Sequence, residues 1–190
     1  MKSLVTGANG FVGSAVARCL LEAGHEVRCL VRAGSDQSNL KGLPVEISEG
    51  DLRDVASLKR AVTNCENLFH VAADYRLWVP DPETMYEINV KGTQELILAA
   101  SGADVSRIIY TSSVATLGIN LDGNPADENT PSSLNNMTGH YKRSKFLAEQ
   151  VVQHLTDKHQ LPLVIVNPST PVGPRDVKPT PTGQIVLDTL

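Results

Sequence analysis

Lys2-Ser3-Leu4-Val5-Thr6-Gly7-Ala8-Asn9-Gly10-Phe11-Val12-Gly13 begins as an apolar run, breaks at three glycines and passes into a helical pattern. The apolar run is β-strand material. Beyond it, Phe11, Val12, Ala15, Val16, Cys19 and Leu20 recur at helical spacing, so the glycines stand in a strand-to-helix turn. Glycine is needed where a chain turns tightly, where backbone approaches a phosphate, and where a helix packs closely on a strand. The free N–H groups and positive dipole at the start of the following helix suit a pyrophosphate. A glycine-rich turn alone carries little weight. Between a first strand and an amphipathic helix, it points to nucleotide binding rather than a plain structural turn.

The same alternation continues outward from that turn. Strands are predicted at residues 2–6, 26–31, 45–48, 67–71, 107–112 and 163–167. Asp54 can cap a helix that carries Val55, Leu58 and Val62 inward, and further helices are predicted over 83–100 and 138–159. Strands alternating with helices imply right-handed crossovers and a parallel sheet covered on both faces, a doubly wound α/β domain over 1–190. Residues 120–136, rich in Asn, Asp, Pro and Ser, read as a surface loop. Residues 183–190 read as the opening of another apolar helix, the expectation for a chain truncated before a further strand.

With 190 residues, 41% of them hydrophobic and 20% charged, the chain has the composition of one globular domain. A net charge of -4 argues against a nucleic-acid partner or an anionic membrane surface, both of which select basic patches. No apolar run approaches the roughly 20 residues that a membrane span needs. The apolar segment after Met1 is too short for a signal-peptide core. Cys19, Cys29 and Cys65 show no paired metal spacing and read as reduced thiols, so no metal and a cytoplasmic location are expected.

Chemistry enters at Tyr141-Lys142-Arg143-Ser144-Lys145, which sets a phenol and an ammonium four apart on one helical face. Hydride transfer to a carbonyl builds negative charge on oxygen, and a tyrosine can protonate it. A neighbouring cation favours the phenolate, so Lys145 is expected to lower the pKa of Tyr141. Near the end of the fifth strand, Tyr110-Thr111-Ser112-Ser113-Val114-Ala115-Thr116-Leu117-Gly118 offers four candidate hydroxyls for the same oxygen. His70, at the end of a buried strand, reads as a satisfied core histidine, and His140 as pointing away from the Tyr141 face.

The spacing Gly7-x-x-Gly10-x-x-Gly13, with Gly139-His140-Tyr141-Lys142-Arg143-Ser144-Lys145, resembles the extended short-chain dehydrogenases, the NAD(P)-dependent epimerase/dehydratase superfamily. Residues 70–78 (His70-Val71-Ala72-Ala73-Asp74-Tyr75-Arg76-Leu77-Trp78) and 167–174 (Asn167-Pro168-Ser169-Thr170-Pro171-Val172-Gly173-Pro174) narrow the likeness to the dihydroflavonol reductase-like branch and its hopanoid-associated sugar epimerase group. The resemblance implies a Rossmann-like fold that lacks here a seventh strand and a substrate lobe. It implies Ser113, Tyr141 and Lys145 as the catalytic set, with Ser112 or Thr111 as alternatives to Ser113. Gly7, Asn9, Gly10, Phe11, Val12 and Gly13 would hold the cofactor phosphates, and Asp51 and Leu52 would meet the adenine. Ala72, Ala73, Thr111, Pro168 and Thr170 would line the rest of the cofactor, with Tyr141 and Lys145 at its nicotinamide ribose. Asn89 matches a family position on the neighbouring helix. Tyr75, Arg76 and Trp78 stand where a substrate wall would be.

Such proteins take NAD or NADP. Leu30-Val31-Arg32 ends the second strand with an arginine where NAD-binding folds carry an acid, so NADP is favoured, although Asp36 is within reach of the ribose. No acid pair follows Ser113, which speaks against dehydration. A carbonyl reductase is the first expectation and a nucleotide-sugar epimerase the second. The third is a non-catalytic cofactor-sensing module, a class that commonly loses the tyrosine or lysine retained here. The partner is a small carbonyl or sugar substrate, and family dimers imply a homodimer through a four-helix bundle built on the third helix and the Tyr141 helix.

Overall fold

A computed structural model describes residues 1–189. Six strands appear: β1 (Lys2–Thr6), β2 (Glu26–Val31), β3 (Val45–Glu49), β4 (Asn67–His70), β5 (Arg107–Thr111) and β6 (Leu163–Val166). They form one parallel sheet in the order β3-β2-β1-β4-β5-β6. The helices are α1 (Phe11–Glu22), α2 (Val55–Val62), α3 (Glu83–Tyr86), α4 (Thr93–Gly102), α5 (Gly139–His159) and α6 (Pro181–Asp188). This is the expected Rossmann-like doubly wound architecture. The sequence of strands reverses direction at β1 and β4, the switch point where such sheets open a crevice at their carboxyl edge.

The two faces are filled unequally. Under α2, α4 and α5 lies the larger core, with Leu4, Leu58, Leu68, Leu96, Ile97 and Ile108 fully buried. Under α1 lies a smaller cluster of Val5, Ala8, Ala17, Cys29 and Val31. Arg28 is buried where α2 ends; it donates 2.7 Å bonds to the Ala61 and Thr63 carbonyls and a 2.8 Å bond to Glu46, so the charge is satisfied.

Several expected details are corrected. On α1 the buried stripe is Gly13, Ser14, Ala17 and Leu20, while Ala15 and Cys19 are exposed. The helix presents its smallest side chains inward because its first turn lies directly on the glycine turn. Asp54 caps α2 as expected, accepting from the Ala56 N–H at 3.0 Å, but Val55 is 36% exposed rather than inward. Strand β4 stops at His70, because the N–H groups of Val71 and Ala72 leave the ladder for Thr6 Oγ1 at 3.2 and 3.1 Å. The helix expected over 83–100 comprises α3, a π-helical stretch at Glu87–Gly92 and α4, which ends at Gly102. The loop at 120–136 is largely exposed and ends in one 3-10 turn. Thr180 and Pro181 open α6 before residue 183, Thr180 Oγ1 accepting from Gly183 N–H at 3.1 Å. Leu190 lies outside the described residues.

Candidate active site

The glycine turn delivers bare backbone to the crevice. Gly7 has φ +68°, and a Cβ there would sit 2.8 Å from the backbone N and Cα of Ala72. A Cβ on Gly13 would overlap the Gly7 carbonyl. Gly10 caps α1 with no side-chain bond, so the helix begins with uncapped N–H groups. A cradle that side chains would fill, at the positive end of a 12-residue helix, fits a pyrophosphate. Asn9 fixes the rim by donating to the Asp36 carbonyl at 2.9 Å, and the Phe11 ring faces Gly173 from across the crevice.

At the end of β2, Arg32 lines a cavity of about 630 Å³ together with Asp51, Arg53 and Arg60. Asp51 accepts a two-pronged ion pair from Arg53, both bonds 2.9 Å, which holds its carboxyl below the usual carboxylate range. Arg32 has no ion-pair partner among the described residues. Asp36 is turned to Ser38, accepting from its N–H at 2.8 Å. Leu52 is buried in the core beside Gly92.

The reactive end is built by β5 and α5. Ser113 follows β5 in extended backbone, its Oγ accepting from the Ala115 N–H at 3.1 Å, and its side chain stands near enough to the Tyr141 phenol to favour the phenolate. Burial raises the Tyr141 pKa above that of an ordinary phenol, and Ser113 draws it partly back. Lys145 is 3% exposed. It donates to the Thr111 carbonyl at 2.9 Å and the Tyr110 hydroxyl at 3.1 Å, with its ammonium 4.7 Å from the Tyr110 ring centre. Burial lowers its pKa to about 8, against a smaller upward pull from Glu149. The expected depression of Tyr141 by Lys145 is therefore corrected: the ammonium serves β5, and it is Ser113 that favours the phenolate.

Asn89, 2% exposed, sits in the π-helical stretch. It exchanges bonds with Asp74 (N–H to Oδ1 2.7 Å, Nδ2 to carbonyl 2.8 Å) and donates to Ser144 Oγ at 2.9 Å, tying the loop after β4 to α5. Ala72 and Ala73 open that loop, in which Asp74 is paired with Arg76, and Trp78 is 78% exposed. Pro168 accepts from Val114 N–H at 3.1 Å, and Thr170 adopts φ +46° in the loop after β6. As expected, His70 is wholly buried and hydrogen-bonded, while His140 faces Tyr86. Sequence reasoning missed Tyr110, Arg53, Arg60 and Glu149. Of these only Glu149 left a signal, standing four residues past Lys145 and eight past Tyr141 on one helical face. Glu149 Oε2 accepts from Ser112 Oγ, lies 2.9 Å from Thr116 Oγ1 and accepts from Asn167 Nδ2 at 3.1 Å.

With this geometry in place, a match to the NAD dependent epimerase/dehydratase family spans residues 3–188. A Synechocystis sp. protein named "Putative dihydroflavonol 4-reductase" is 49% identical over 183 residues, 96% of this chain and 53% of that protein. The crystal structure of gox2253 superposes with a TM-score of 0.93 at 61% identity, covering 98% of this chain and 56% of the other. The UDP-glucose 4-epimerase of Thermus thermophilus, solved with NAD, gives a TM-score of 0.84 at 25% identity over 98% of this chain and 61% of the other. The chain spans about half the length of the relatives it matches.

Proposed function

Because the chain belongs to the NAD dependent epimerase/dehydratase family, we propose that the whole protein is a carbonyl reductase using NADP, with Ser113, Tyr141 and Lys145 at the reacting centre. The nicotinamide supplies the hydride. Ser113 donates a hydrogen bond to the substrate oxygen, and Tyr141 delivers the proton that the reduced oxygen needs. Lys145, anchored on Thr111 and Tyr110, stands ready for the nicotinamide ribose. One observation carries this reading: Lys145, buried on the helix that bears Tyr141, is bonded to the Thr111 carbonyl at the carboxyl end of the strand that leads into Ser113. Burial keeps the phenol protonated at neutral pH, the state a proton donor requires for reduction. In the whole protein, Tyr141→Phe should lower kcat by about 10²–10⁴, the usual contribution of general acid–base catalysis. Turnover at the parent rate would remove Tyr141 from the role.

For NADP over NAD, the support is Arg32, which has no ion-pair partner among the described residues and lines a cavity shared with Arg60 and the carboxylates Glu49, Asp51 and Asp54. A guanidinium facing a 2′-phosphate forms paired charged hydrogen bonds that a 2′-hydroxyl cannot match. Arg32→Ala should therefore weaken NADPH binding at least about tenfold, one such contact being worth about 1.5–3 kcal/mol, and leave NADH nearly unchanged in fluorescence titrations. Equal loss for both cofactors would refute the preference. Likeness to the Thermus enzyme keeps nucleotide-sugar epimerisation as a second reading. A screen of aldehydes, ketones and nucleotide sugars separates the two: net NADPH consumption marks a reductase, an inverted sugar centre without it an epimerase.

A further inference from the structure

Three separate segments converge on one oxygen of Glu149. Ser112 comes from the end of β5, Thr116 from the turn beyond Ser113, and Asn167 from the end of β6. Ser113 lies between the first two, and its carbonyl oxygen lies 3.1 Å from Asn167 Nδ2 and 2.8 Å from Thr116 Oγ1, whose single proton is shared with Glu149 Oε2. Asn167 Nδ2 also lies 3.0 Å from Thr116 Oγ1, its two protons facing three acceptors, so the segments cross-brace one another. Glu149 itself is carried by α5, two turns after Tyr141. A carboxylate is an acceptor-only group, and charged acceptors make the stronger hydrogen bonds, so one side chain can hold three polar partners in place.

We propose that Glu149 is a positioning residue: by gathering Ser112, Thr116 and Asn167 on one carboxylate oxygen, it fixes Ser113 against the Tyr141 phenol. This rests on the assignment of Ser113 and Tyr141 to the reacting oxygen. Hydroxyls on two different elements stay within hydrogen-bond reach only if the elements are locked together. Here the lock runs through the same helix that carries the phenol. Glu149 touches neither reacting oxygen; it acts through Ser113. Preorganised donors of this kind are effective only when held to a fraction of an ångström.

The test reads the phenol directly in the whole protein labelled with [¹³Cζ]tyrosine, the Tyr141 resonance being identified by its loss in Tyr141→Phe. Tyr110 and Lys145 are the other titratable groups at this site; Glu149 pulls both upward, so they are followed alongside, and Glu149→Gln, which removes the charge but keeps an acceptor, separates that charge effect from the loss of positioning. Ser113→Ala removes a group that favours the phenolate, so the Tyr141 midpoint should move to higher pH. Glu149→Ala should move it in the same direction, while Glu149→Gln, whose amide oxygen still accepts, should restore it close to the parent value. An unmoved midpoint in Glu149→Ala would overturn the proposal. If that variant does not fold, Thr116→Val removes a single donor and should shift the midpoint upward by a smaller amount; no shift there overturns it equally. Parent turnover in Tyr141→Phe would sink the catalytic assignment while leaving these shifts in place, so the two failures are distinguishable.

Discussion

At position 13 a single methyl group is decisive. A Cβ added there overlaps the Gly7 carbonyl, which is backbone and cannot rotate aside as a long side chain would. Gly13→Ala should destabilise the protein by about 1–3 kcal/mol or more, the range for overpacking a close contact. It should also abolish NADH and NADPH binding as the turn opens. Gly102→Ala is the control, since a methyl there meets nothing within 4 Å. An unchanged urea midpoint and unchanged binding in Gly13→Ala would contradict the role given to this glycine. Such residues are legible in sequence because the need for bare backbone is recorded as a missing side chain. The direction of Lys145 was not legible. Helical spacing puts Lys145 and Tyr141 on one face, but a lysine has a long, flexible stem, and its ammonium went to the acceptors that β5 supplied.

At the scale of elements, the strands were legible almost to the residue; the inner ones are buried, near-continuous apolar runs, while the edge strands β3 and β6 are half-exposed. Their ends were less so. β4 stops where Thr6, a residue of another strand, takes over two backbone N–H groups. Helix α1 shows the limit of periodicity: counting apolar residues selects Ala15 and Cys19, whereas close packing on the glycine turn selects Gly13, Ser14 and Ala17. The π-helical stretch at Glu87–Gly92 leaves no trace in an apolar pattern. It coincides with Asn89, whose donors and acceptor are met by Asp74 and Ser144, partners 15 and 55 positions away. Extra-wide turns of this type are frequent at functional sites.

Across the whole molecule, His70 joins β1, β4 and α4. Thr6 Oγ1 already accepts from Val71 and Ala72, so its proton goes to His70 Nδ1 at 2.8 Å. Thr93 donates to the Asn89 carbonyl and therefore receives the Nε2 proton of His70 at 2.9 Å. The imidazole is thus held neutral, and burial lowers its pKa to about 3. Between about pH 6.5 and that value the unfolded chain binds a proton that the native state does not. Stability must then fall as pH falls through this window, at up to about 1.4 kcal/mol per pH unit from this group. His70→Gln should be less stable at pH 7 and show a shallower loss between pH 7 and 5 in urea unfolding. Parallel pH slopes for parent and variant would show that His70 is not the acid-sensitive joint.

By itself the amino-acid sequence determined the strand–helix alternation, the glycine cradle and the Tyr141–Lys145 spacing. Each depends on neighbours within one or two turns of chain, where covalent geometry ties pattern to shape. Only the tertiary structure decided that Lys145 would serve β5 and that Glu149 would collect donors from three segments. Those outcomes turn on distances between residues 18 to 37 positions apart, which no local periodicity encodes and which exist only once the sheet has brought the strand ends to one edge.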